Sequence, residues 1–226
     1  MLKLDRRSSL IAGVLAASAL MLGACNGGGG GAGGGGAAAE GDMTMGSAEA
    51  PVTVVEYASV TCAHCAAWNE QVFPEFKSRF IDTGQVRYVF RELPTPPANI
   101  AVAGFLAARC AGEDRYFAMI DAMMRNQQAM IADPRGELLR IARTAGMTEE
   151  QFDACVTDQE AADALEERVQ QANEQGVTGT PYFLVNGEHL DGPPTIEAFE
   201  AAIRAAGGNV PAAAAADGEA AATAED

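Results

Sequence analysis

The chain has 226 residues, with 31 acidic against 15 basic side chains and a formal net charge of −16. Such a surface repels phosphate backbones and excludes nucleic acid as an expected partner; a solubilising surface accounts for the charge. The length suffices for one domain with a real core, flanked here by terminal segments of different character.

Residues 1–25 read as a lipoprotein signal peptide. Lys3, Arg6 and Arg7 precede an apolar run over 10–22. That run is too short for a membrane span, which needs about 20 apolar residues. It ends at Leu22-Gly23-Ala24-Cys25, which resembles a bacterial lipobox and implies lipidation at Cys25. An ordinary signal peptide or an uncleaved anchor is the alternative. Residues 26–47 are Gly-rich and read as a flexible linker, because glycine buries too little apolar surface to offset the entropy of ordering it. At the far end, residues 210–226 are Ala-rich and acidic, and read as a disordered tail, with a frayed helix as the alternative.

Between these, 48–209 reads as an α/β domain. "PVTVVEYAS" is a β-branched run without a breaker, hence a strand. Cys65, Trp68, Val72, Phe76 and Phe80 then recur at spacings of three and four, one face of a helix that Pro74 should kink. "GQVRYVFREL" is a second strand, so the order is strand, helix, strand, the unit of a parallel sheet. Strand signal is weak over about 97–175. Helices are expected there at 99–110, 114–125, 135–145, 149–156 and 161–175, the fourth opened by a Thr148/Gln151 capping box. Met119, Met123 and Met124 in this block read as core filler rather than ligands. The sheet resumes at "TPYFLVNG", where Asn186-Gly187 marks a two-residue hairpin turn. A last helix covers 195–206.

Five cysteines are present. If Cys25 carries lipid, Cys62, Cys65, Cys110 and Cys155 remain, and export would place them where thiols oxidise. Four cysteines allow three connectivities, among which sequence does not choose.

The chemistry concentrates in Cys62-Ala63-His64-Cys65. Cys62 stands where strand gives way to helix, so unpaired N–H groups and the helix dipole favour its thiolate, the nucleophile of disulfide exchange. Cys65, one turn deeper on the apolar face, is the expected resolving thiol. His64 is expected to donate a hydrogen bond or partial positive charge to the Cys62 sulfur. A stabilised thiolate stabilises the reduced form, so the disulfide becomes more oxidising; lowering the pKa by about three raises the potential by roughly 90 mV. A zinc site would need about four ligands, and Cys62, His64 and Cys65 are crowded for a tetrahedral set, so no metal is expected. A purely structural bridge here would close a tiny loop and stabilise little.

"EYASVTCAHC", the later "GVTGTPYFLVNG" and the helical block between them together resemble the DsbA-like thiol:disulfide oxidoreductases of the thioredoxin-like superfamily, over about 52–206. The resemblance implies a thioredoxin-like fold with an inserted helical domain. It implies that Pro181 is cis and that the Thr180 backbone faces Cys62, where it can bind an extended substrate. Glu56 matches the family's buried acid, which relays the proton of the resolving thiol; burial should raise its pKa. Ala63 stands where the family has proline, which sets the potential apart from the strongest oxidants. Cys110 and Cys155 resemble the extra pair of some branches, a staple across the insertion; a redox relay or two free thiols are the alternatives.

The function implied is a monomeric, periplasmic, lipid-anchored oxidase. It donates the Cys62–Cys65 disulfide to unfolded or reduced exported proteins, and a quinone-linked, DsbB-like membrane oxidase reoxidises it without a metal or organic cofactor. A reductase or isomerase of the same fold, or a copper-binding lipoprotein that uses the fold as a scaffold, are the alternatives.

Overall fold

The computed structural model describes residues 36–210. Strand β2, Val52–Ala58, lies at the middle of the sheet. Val54, Val55, Tyr57 and Ala58 are all buried, so both faces of β2 are covered, and its apolar residues run on instead of alternating. β2 pairs in parallel with β3, Val86–Glu92, and antiparallel with β4, Tyr182–Val185. The edges are β1, Met43–Met45, on β3 and β5, Glu188–His189, on β4, both antiparallel. The order β1-β3-β2-β4-β5 makes a mixed sheet. β4 and β5 meet at Asn186-Gly187, with φ of 47° and 91°, values that suit this pair in a tight hairpin.

The crossover from β2 to β3 is a broken helix rather than a kinked one. α1, Ala63–Gln71, stops at Val72; α2, Phe73–Phe76, follows and passes into a π-helical turn, Lys77–Ile81. Pro74 falls in the first turn of α2, where its missing N–H costs no hydrogen bond. The face it presents is aromatic. Trp68 packs on Phe73, Phe76, Phe183 and Phe199 with centroids 4.7–5.9 Å apart, and its indole N–H donates to the Pro194 carbonyl at 3.0 Å.

The insertion comprises α3 (Ala98–Cys110), α4 (Glu113–Arg125), α5 (Gln127–Ala132), α6 (Pro134–Thr144), α7 (Glu149–Val156) and α8 (Gln159–Glu174). The capping box at Thr148 and Gln151 forms, with Gln151 N–H to Thr148 Oγ1 at 3.2 Å and Thr148 N–H to Gln151 Oε1 at 2.8 Å. Met119, Met123 and Met124 are buried in the main core. α8 lies against the other face of the sheet, where Ala172 joins Val55, Tyr57, Val89 and Leu184. Helix α9, Ile196–Ala205, capped by Thr195, closes the domain.

Two expectations need correction. α5 has no counterpart in the sequence reading: it is six residues long and buries only Met130, too little to display a period. The flexible linker expected over 26–47 does not extend to 47. Asp42 pairs with Arg91 at 2.9 Å, Arg91 also reaches the Ala37 carbonyl at 2.9 Å, and Met43–Met45 is a strand. Glycine gives way there to residues that carry a charge and apolar side chains, and Met43 is buried. The signal peptide, Cys25 and the tail at 211–226 lie outside the described residues.

Candidate active site

β2 delivers the chain to the site and α1 begins it. Cys62 is the N-cap of α1, with extended backbone (φ −84°, ψ 119°), and its Sγ accepts from the Cys65 N–H at 3.4 Å. Its own N–H donates to the Ser59 carbonyl at 3.1 Å, closing the turn that separates strand from helix. The capping geometry aims unpaired helix N–H groups at sulfur, where they favour negative charge. Opposite, the Thr180–Pro181 bond is cis, and Cys62 Sγ lies 3.5 Å from the Thr180 carbonyl oxygen.

The two thiols occupy opposite environments. Cys62 is half-buried and falls from an ordinary value of 9.0 to about 5. The hydrogen bond from the Cys65 thiol lowers it most, burial opposes, and Thr180 with the backbone N–H groups of Cys65 and His64 adds to the lowering. Cys65 is fully buried and its thiol is pushed far up, first by the same hydrogen bond, then by burial and by the charge of Glu56. Among the described residues these are the two free thiols.

Glu56 is 1% exposed, on β2 behind the site. Burial pushes it from 4.5 up to about 8; a hydrogen bond from the Tyr88 hydroxyl pulls it partly back, and negative charge at Cys62 raises it. Glu56 therefore exchanges a proton near neutrality beside a buried thiol, as a base for that thiol must.

His64 departs from expectation. Its imidazole is exposed and makes no hydrogen bond to Cys62 Sγ; what reaches the sulfur from this residue is its backbone N–H. His64 lies on the exposed side of the first turn, opposite the buried Cys65, while its N–H points down the axis towards the sulfur. The ring instead borders a groove of about 370 Å³, walled by Trp68, Val72, Pro181, Pro193 and Pro194.

Cys110 and Cys155 form a disulfide with Cα atoms 6.1 Å apart, joining the last turns of α3 and α7. It belongs to the insertion and shares no atom with the Cys62–Cys65 pair. Among the described residues, no three His, Cys, Asp or Glu side chains converge as a metal-ligand set.

Sequence reasoning missed two contributors. Gln127, on α5, donates through Nε2 to the carbonyls of Val60 at 2.8 Å and Cys62 at 2.9 Å, and so ties the insertion to the active-site turn. It lies 65 positions from Cys62, in a segment without pattern, and nothing in the sequence announces it. Tyr88 could have been found from register alone: Val54 pairs with Tyr88 and Glu56 with Phe90. Residues two apart share a face of the sheet, which brings Tyr88 to Glu56.

A reactive cysteine capping a helix, a buried partner one turn on and a cis-proline across from them, all on a mixed sheet, place the molecule in the class of thioredoxin-like dithiol proteins. A family model described as thioredoxin matches residues 38–205, and the chain belongs to that family. A crystal structure of Wolbachia pipientis alpha-DsbA1 superposes with a TM-score of 0.69 at 26% identity, covering 74% of this chain and 92% of that one; the DsbA-like form of the fold, helical insertion included, is thus the one adopted. A Rickettsia bellii protein with a provisional protein-disulfide oxidoreductase name is 33% identical over 157 residues, 66% of this chain and 58% of its own length. The chain spans little more than half the length of such curated relatives. A Salinispora tropica protein named as a Na(+)/H(+) antiporter is 34% identical over 169 residues, but they are only 24% of that protein, a share that carries no argument about transport.

Proposed function

We propose that this chain is a thiol:disulfide oxidoreductase that donates the Cys62–Cys65 disulfide to exported proteins in the periplasm, held at a membrane by lipid on Cys25. A thiolate of a reduced substrate attacks Cys62, the accessible sulfur. Cys65 leaves and takes a proton from Glu56. A second substrate thiolate then attacks the substrate sulfur of the mixed disulfide, and Cys62 departs as a thiolate. A DsbB-like, quinone-linked membrane oxidase regenerates the disulfide. The Thr180 carbonyl and Pro181 present an edge to the substrate chain, and His64 borders the groove beside it.

One observation carries this reading: Cys62 is accessible and lowered to about 5, so it is a good leaving group. Thioredoxin, with an attacking cysteine near 7, sits at about −270 mV, and DsbA, near 3.5, at about −120 mV. A value near 5 lies between and suggests about −200 mV. Structural disulfides of secreted proteins lie below about −300 mV, so donation to them runs downhill by roughly 100 mV. Ala63 in the place of the family's proline agrees with a potential short of the strongest oxidants.

Equilibration of the Cys62–Cys65 pair with glutathione tests the assignment. A potential of about −200 mV, with loss of peptide-thiol oxidation in Cys62→Ser, is the expected result. A potential near −270 mV would transfer the protein to the reductases.

A further inference from the structure

We propose that Tyr88 is a positioning residue for the proton relay: its hydroxyl holds the Glu56 carboxylate as the acceptor of the Cys65 proton. The proposal rests on the thiol-exchange reading above and deepens it.

The geometry is specific. The Tyr88 hydroxyl donates to Glu56 Oε2, with both side chains buried. One carboxylate oxygen is thereby occupied, and Oε1 carries no hydrogen bond from the described residues. The tyrosine ring is clamped by Phe73, Phe76 and Phe117, with centroids 5.2, 6.2 and 6.0 Å away. Phe117 comes from α4, so the insertion braces the relay. The groups acting on one another here are few. Glu56 feels Tyr88 and Cys62 and acts in turn on Cys65; Tyr88 feels Glu56, Tyr116 of α4 and Cys65. None of these is a lysine or arginine, so the hydrogen bond to Glu56 comes from a neutral donor. A cation at this place would hold the carboxylate ionised and spoil it as a base. A hydroxyl that stays protonated supports the anion and lowers its basicity only in part, leaving Glu56 raised to about 8. Tyr88 does stay protonated, because burial and the charge of Glu56 push its own titration well upward.

The step balances. In the mixed disulfide of Cys62 with glutathione, Glu56 takes the proton from Cys65, and the Cys65 thiolate attacks Cys62 Sγ. The Cys62–Cys65 bond forms, the bond from Cys62 to glutathione breaks, and glutathione leaves as a thiolate. Tyr88 keeps its proton throughout.

The test is Tyr88→Phe in the full chain, which keeps the ring contacts. Single-turnover oxidation by oxidised glutathione is followed across pH through the fluorescence of Trp68, the chain's one tryptophan. Alkylation of Cys62 is measured in parallel. A charge-assisted hydrogen bond in a buried site should count for one to two pH units, roughly. The midpoint of the resolving step should rise by about that much, and resolution at pH 7 should slow about tenfold or more, because the ionised fraction of Glu56 falls from roughly one in ten to one in a hundred. The alkylation midpoint of Cys62 should not move. An unchanged resolving profile, or both steps slowed without a shift, would overturn the role. An infrared titration of the Glu56 carboxyl, isolated by difference against Glu56→Gln, reads the same rise without any turnover. It separates failure of this inference from failure of the exchange reading: an inactive wild type with a shifted carboxyl sinks only the latter.

Discussion

The lowered titration of Cys62 has a named principal cause, which can be removed. The Cys65 thiol contributes most to it, ahead of Thr180 and the backbone N–H groups. Cys65→Ala deletes that donor and leaves the helix N-terminus intact. A hydrogen bond to a charged group contributes about 1.5–3 kcal/mol, so the Cys62 midpoint should climb from about 5 by one to two pH units, roughly. Ultraviolet absorbance of the thiolate and the rate of alkylation against pH both report it. The same depression appears in the stability of the reduced protein. A thiol lowered on folding contributes stability that is complete above its unfolded value of 9.0 and is lost as pH falls through about 5. At pH 7 the thiolate would add nearly 3 kcal/mol relative to pH 4, or about 1.5 kcal/mol after discounting for solvent screening at a half-exposed sulfur. Denaturation of reduced and oxidised protein at both pH values isolates it, since only the reduced form has the thiolate. If Cys62 titrates near 5 in Cys65→Ala as well, the thiol pair is not what sets it, and the reasoning fails.

The Cys110–Cys155 bridge spans 45 positions, and the loop-entropy account gives it about 4 kcal/mol. The double alanine variant should lose stability of that order in chemical denaturation while Cys62 alkylation is unchanged. Gln127→Leu removes both bonds; the Cys62 carbonyl keeps the Ala66 N–H at 3.1 Å, but the Val60 carbonyl loses its donor. It should cost about 1–3 kcal/mol by denaturation and speed hydrogen exchange in the turn before α1.

The sequence reading reached most of what lies on long, periodic or covalently marked segments. β2 and β3 are rich in β-branched and aromatic residues and hold no breaker, α7 carries its capping box, and Asn186-Gly187 can hardly be anything but a turn. Cys62, Cys65 and Pro181 are legible because residue type and spacing carry their chemistry. What escaped depends on register or on distant contacts. β1 is three residues held by β3. The partnership of Tyr88 with Glu56 follows only from the β2–β3 alignment. Gln127 acts on Cys62 from a six-residue helix. Proximity in sequence points the imidazole of His64 at the sulfur, but the residue falls on the exposed face of α1, opposite Cys65, and offers its backbone N–H instead.

Two buried carboxylates differ in what holds them, one paired with cations and the other with a neutral donor. Glu92, 3% exposed at the end of β3, is bound by Arg109 at 2.5 and 2.7 Å and by the Tyr116 hydroxyl at 2.9 Å, with Arg168 Nε at 3.5 Å. Glu56, equally buried, receives only the neutral hydroxyl of Tyr88 and stays raised to about 8. The two should respond oppositely to the same substitution. Glu92→Gln strands the Arg109 charge in a partly buried site, and breaking such a pair costs about 3–5 kcal/mol. Glu56→Gln removes a liability. A carboxyl raised from 4.5 to about 8 gives stability that is complete below 4.5 and lost as pH rises through 8. At pH 7 the wild type has forgone about 3 kcal/mol of it, so Glu56→Gln should be the more stable protein at pH 7, by up to that amount, and nearly equal at pH 4. It should also resolve mixed disulfides slowly, since an amide takes no proton from Cys65. Denaturation curves at the two pH values, paired with single-turnover rates, check both halves. A Glu56→Gln protein less stable than wild type at pH 7 would mean that the carboxyl is held there for structure rather than for proton transfer.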